Sequence, residues 1–129
     1  LKEDKWSPYV NDINSDILPQ LENILTCIEN NSDVQKFNAK VYFFNETVEY
    51  LKNKYEGKPE INYVSFKKLM ELNTHTQSVA TLRMEAEKYK PYLAYTGAGY
   101  LYNENTINQQ LDYLKTEIEN TIVVLKEAK

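Results

Sequence analysis

Apolar residues recur along this chain at intervals of three and four, the spacing that lines one face of an α-helix. The cleanest run is Val34, Phe37, Val41, Phe44, Val48, Leu51 and Tyr55, in strict three-four alternation over about six turns. A run of this kind marks a helix packed along its whole length, and its period excludes a strand. Ser32 with Gln35 supplies a capping-box pattern ahead of it, and Gly57-Lys58-Pro59 ends it.

Three other segments share the period. The first opens at Ser7-Pro8, an N-cap followed by proline at the first helical position. Its apolar face is Val10, Ile13, Ile17, Leu21, Ile24 and Ile28, and Asn30-Asn31 closes it. Pro19 lacks an N–H and should kink or split this helix near Leu18. The third runs from Tyr63 to Lys90 with Phe66, Leu69, Leu72, Val79, Leu82, Ala86 and Tyr89 inward, and Pro91 stops it. A polar run from Asn73 to Ser78 interrupts that stripe for more than a turn. The fourth begins near Asn103 or Asn105 and carries Ile107, Leu111, Leu114, Ile118, Ile122 and Leu125 to the C-terminus, with Thr106 and Gln109 as a second capping box.

These segments predict an all-α fold, an antiparallel up-down-up-down four-helix bundle in one domain over residues 1–129. The helices fall at roughly 8–30, 33–56, 63–90 and 104–128, and the one longer connection is Pro91 to Tyr102.

Composition and charge narrow the function. A chain of 129 residues that is 42% hydrophobic and 26% charged can build its own core without a disulfide or a metal. The net charge of -4 and a single arginine, Arg83, argue against a nucleic-acid reader, which relies on basic surfaces and arginine forks. Lys52, Lys54, Lys58, Lys67 and Lys68 are interleaved with Glu49, Glu56, Glu60 and Glu71 and make no basic patch. Cys27, alone beside Ile24 and Ile28, reads as a small apolar helix-core residue and excludes an intramolecular disulfide.

No run is long and apolar enough to span a membrane, so membrane association is expected only through a segment outside this chain. The chain begins at Leu1 rather than methionine, and the expectation is that a signal peptide, lipoprotein anchor or transmembrane helix preceded it. An even number of helices puts both termini at the same end. In that general form the chain resembles the extracytoplasmic helical sensor domains found between membrane spans in bacterial receptors and kinases, although no single motif carries the resemblance. The resemblance implies a binding domain displayed outside a membrane.

Catalytic chemistry finds little footing. His75 is the only histidine, which rules out a di-iron centre built on paired Glu-x-x-His motifs. Glu71 and His75, four residues apart, make at most half a zinc site; the plainer alternative is a boundary histidine paired with a neighbouring glutamate. No Gly-x-Ser-x-Gly elbow is present, and Gly97-Ala98-Gly99 lacks the Gly-Lys-Ser/Thr ending of a phosphate loop. Glu85/Glu87 and Glu117/Glu119 sit two apart, on different helix faces, and read as solvated surface. No catalytic residue, metal ligand or cofactor is assigned, and a non-enzymatic protein is expected.

Two features point instead to binding. Residues 89–102 gather Tyr89, Tyr92, Tyr95, Tyr100 and Tyr102 with Gly97 and Gly99. Tyrosine offers a rigid face and a hydroxyl at low entropic cost, and glycine permits close approach. These residues either wall a small-molecule or partner site or plug the end of the bundle. On the second helix, Tyr42 and Phe43, extended by Tyr50, place aromatics off the core face. A helix apolar that far around is usually covered by a further element or a second copy, so these residues are read as an interface, either for a homodimer or for another partner. The function expected is a non-enzymatic ligand- or partner-binding bundle, extracytoplasmic or membrane-anchored. The alternative is a small cytosolic adaptor, immunity or regulatory protein acting through a helical interface.

Overall fold

A computed structural model describes residues 7–59, 61–92 and 104–127. Within them the chain forms four helices and no strand. The first, α1, is continuous but irregular, comprising Ser7–Asp12, a π-helical stretch Ile13–Ile17, and Leu18–Glu29. The others are α2 (Val34–Tyr55), α3 (Tyr63–Tyr89, extended by a 3-10 turn Lys90–Tyr92) and α4 (Glu104–Glu127). Consecutive helices pack on one another, and α1 closes the ring against α4. The pairings run antiparallel: the start of α1 meets the end of α2 through Asp12 and Lys54, and Asn45 of α2 faces Thr76 of α3. This is the up-down-up-down bundle that the periodicity predicts.

The core is one apolar cluster fed by all four helices. From α2 it takes Phe37, Val41, Phe44, Val48, Leu51 and Tyr55, and each such burial is worth about 1.5–3 kcal/mol. Cys27 lies inside it as a small apolar residue.

Of the kink or split expected at Pro19, the structure shows a distortion without a break, a wide turn just before the proline in a helix that stays continuous. The pyrrolidine ring conflicts with the carbonyl four residues back, on Ser15, which sits within the π stretch. The same turn corrects the expected register. Residues four apart drift by about 40° in a regular helix. Tyr9, Ile13, Ile17 and Leu21 are four apart three times over, and the wide turn absorbs part of that drift so that all four are buried. Tyr9 therefore takes the core position assigned to Val10, which is only half-buried.

The caps show a second correction. α1 ends with Asn31 at φ 51, the Asn31 N–H donating to the Ile28 carbonyl and the Ser32 N–H to the Cys27 carbonyl. That bond pair is a Schellman motif and uses Ser32 to finish α1. The N-cap of α2 is instead Asp33, whose carboxylate accepts the Lys36 N–H at 2.8 Å. Gly57, at φ +77, turns the chain out of α2, and Asn62 caps α3 by accepting the Ser65 N–H. Of the residues expected inward, Ile28, Val34, Leu82 and Ile107 are only half-buried, and Tyr89 is 39% exposed. Tyr89 lies in the last turn of α3, where it borders solvent.

Candidate functional site

The outer face of α2 carries the most distinctive surface among the described residues. Phe37, Phe44, Val48 and Leu51 fix the inward side, which turns Tyr42, Phe43 and Tyr50 outward at 60%, 62% and 58% exposure. The Tyr42 and Phe43 rings meet edge to face, with centroids 5.8 Å apart. Lys54 Nζ lies 5.7 Å from the Tyr50 ring centroid. Glu46, midway between Tyr42 and Tyr50, and Glu49 are exposed on the same face, and neither forms an ion pair among the described residues. No element of the described fold covers this strip.

The polar run of α3 turns partly inward. Thr76 is fully buried and Asn73 is 8% exposed. Thr76 Oγ1 donates to the Asn73 carbonyl at 2.8 Å, and Asn45 Oδ1 of α2 lies 3.4 Å from the same hydroxyl. His75 Nδ1 pairs with the Glu117 carboxylate of α4, rather than with Glu71 on its own helix. Glu117, expected to be plain solvated surface, is therefore a half-buried partner in an interhelical pair. On α4, Thr121 Oγ1 donates to the Glu117 carbonyl, and between α1 and α2 Gln20 Nε2 donates to Thr47 Oγ1 at 2.8 Å. Among the described residues, three buried side-chain oxygens accept no hydrogen bond: Gln20 Oε1, Asn38 Oδ1 and Asn73 Oδ1. Among the described residues no group of three or more His, Cys, Asp or Glu side chains is arranged to hold a metal.

A third cluster ties the two ends of α1 and α2 together. Tyr55 donates to Asp12 Oδ2 at 2.5 Å and Lys54 Nζ donates to the same oxygen at 2.9 Å. Burial pushes the Asp12 carboxyl up, but these two donors and the Lys54 charge outweigh it and hold the pKa below its ordinary value. Beside it Tyr9 stacks edge-on to Tyr55 and shares a buried hydrogen bond with Ser65 Oγ. Burial pushes the Tyr9 phenol up to about 12, so it stays neutral. The arrangement is a structural lock.

Of the tyrosine-glycine stretch, Tyr89 is partly exposed with Lys88 Nζ 5.3 Å from its ring centroid. The Tyr92 side chain and Tyr95, Gly97, Gly99, Tyr100 and Tyr102 lie outside the described residues. Charge is sorted by helix, which the net value conceals. Ser7–Glu29 carries Asp12, Asp16, Glu22 and Glu29 with no lysine or arginine, and α4 carries five acids against two lysines. The aromatic strip sits on α2, which holds four lysines and two glutamates. No described helix is long and apolar enough to cross a membrane. No protein-family model matches the chain, and neither a curated protein nor a solved structure matches it.

Proposed function

We propose that this chain is a non-enzymatic helical module that binds a partner protein through the outer face of α2. The observation that carries the proposal is the trio Tyr42, Phe43 and Tyr50, each about three-fifths exposed on one helix. An aromatic side chain buries on the order of 200 Å², so covering the exposed part of all three removes roughly 360 Å² from water. At about 25 cal/mol per Å² this is a gross gain of about 9 kcal/mol, comparable with the cost of association. Aromatic anchors of this size form the energetic centre of an interface, with polar neighbours as the rim.

Glu46 and Glu49 select the partner. Two unpaired carboxylates beside aromatic faces suit a segment that places Lys or Arg between apolar anchors, through ion pairs and cation–π contact. Tyr50 already takes Lys54 in that way. A second copy is a poorer occupant, because a two-fold axis through the centre of the strip sets Glu46 against its own copy. The same face would serve a cytosolic adaptor or a domain displayed outside a membrane. External protease reaching the domain in intact cells would distinguish the two.

The test is an NMR titration with two amphipathic probe peptides of equal length, one of Leu and Lys and one of Leu and Glu. An interface on α2 predicts shifts confined to Tyr42, Phe43, Glu46, Glu49 and Tyr50 with the Leu/Lys peptide, abolished by Phe43→Ser with Glu46→Lys. Bulk attraction to the negative chain would instead draw that peptide to α1 and α4, where the acids concentrate. Shifts on those helices, or equal binding of both peptides, would overturn the proposal.

A further inference from the structure

A second site, independent of the α2 strip, lies where the start of α2, the end of α3 and the start of α4 converge. Here a cavity of about 380 Å³ opens beside Arg83, within the range of small-molecule pockets. Its apolar lining is Val34, Ala86, Ile107 and Leu111. The chemistry is concentrated in Arg83. Its guanidinium lies 4.9 Å from the Phe37 ring centroid, and Nη2 donates to the Ser32 carbonyl at 3.0 Å.

Those two contacts hold the planar fork in place but satisfy one of its five N–H donors. The side chain is half-buried and forms no ion pair among the described residues. Desolvation lowers its pKa, against the raising influence of Asp33 and Glu87. Among the described residues the other four donors have no acceptor, and a charge partly removed from water favours taking a partner.

We infer that this cavity binds a small organic monocarboxylate, with its carboxylate on the Arg83 fork and its apolar body on Val34, Ala86, Ile107 and Leu111. Arginine suits a carboxylate because two parallel N–H donors match its two oxygens. The rim sets the charge of the ligand. Lys90, Glu87 and Glu104 also line the cavity, so beyond Arg83 the lining carries one positive and two negative groups. The two carboxylates oppose any anion, and they oppose a dianion such as phosphate about twice as strongly as a monoanion. The apolar lining excludes fully polar acids of the same charge.

The experiment uses the intact 129-residue chain with 3-phenylpropionate and its neutral isostere 3-phenylpropionamide as probes. Titrations are followed by NMR at the Arg83 side-chain Nε–H and at the amides of Ala86, Ile107 and Leu111. The expected result is saturable binding of the acid, movement of the Arg83 signal, and affinity for the amide about tenfold weaker. Arg83→Lys should weaken the acid by a similar factor, and Arg83→Gln should bring it to the level of the amide. Equal affinity for acid and amide, displacement of the acid by equimolar inorganic phosphate, or no response at Arg83 would each overturn the inference. If Arg83→Gln unfolds the chain, the acid-against-amide comparison on the unsubstituted protein still decides.

Discussion

Asn73 should be a stability liability, and replacing it with leucine should strengthen the fold. Its Oδ1 is buried between helices and accepts no hydrogen bond, a condition that costs about 1–3 kcal/mol. Leucine has the same number of side-chain heavy atoms, so Asn73→Leu removes the orphaned oxygen without opening a void. The hydrogen bond from Thr76 Oγ1 goes to the Asn73 backbone carbonyl and survives the change. The expected gain is about 1–2 kcal/mol, which for a chain of this length raises Tm by roughly 3–8 °C. Urea unfolding followed by far-UV circular dichroism, with thermal melts alongside, measures it. Asn73→Ala serves as the control, since it relieves the oxygen but leaves a small cavity and should gain less. A loss of stability in Asn73→Leu would refute the reasoning, because it would mean the oxygen has a hydrogen-bond partner in solution.

Two further predictions concern the ends of the helices. The Asp12 carboxyl is held below its unfolded value near 4 by Tyr55 and Lys54. Its contribution is therefore complete above that value and is lost as pH falls through the lower, folded one. Tyr55→Phe should cost about 1–2 kcal/mol at neutral pH and markedly less once Asp12 is protonated, as read from urea midpoints across an acid series. At the turn after α2, Gly57 has φ +77 and a Cβ there would meet nothing within 4 Å. Gly57→Ala should thus cost about 1 kcal/mol from backbone strain alone, and Gly57→Asn less, in the same unfolding assay.

The α2 register was legible because its core positions keep strict three-four spacing and a regular helix conserves that phase. The α1 register was not, because the run of fours at Ile13, Ile17 and Leu21 fits a regular helix with a drifting apolar stripe as well as one widened at Ile13–Ile17. Val10 and Tyr9 both fit a helix extended backwards from Ile13, and only the wide turn decides between them. Ser32 and Asp33 are adjacent cap candidates, and the choice depends on the C-cap of the preceding helix consuming Ser32. The pairing of His75 with Glu117 spans 42 residues and two helices, so local spacing pointed to Glu71 instead. The outward aromatics could be foreseen, since Tyr42-Phe43-Phe44 puts more rings in a row than one face can bury. The significance of Arg83 could not, because its surroundings come from three helices.

The most direct test of an interaction face on α2 is site-specific photo-crosslinking in the source cells. A benzophenone side chain replaces Phe43 in one variant and Tyr113, exposed on α4, in another. Mass spectrometry then identifies the partner segment joined to each position. A binding face on α2 predicts a discrete adduct from position 43 alone, joined to a segment in which Lys or Arg alternates with apolar residues. Adducts of equal yield from both positions, or an adduct at position 43 with a second copy of this chain, would contradict it.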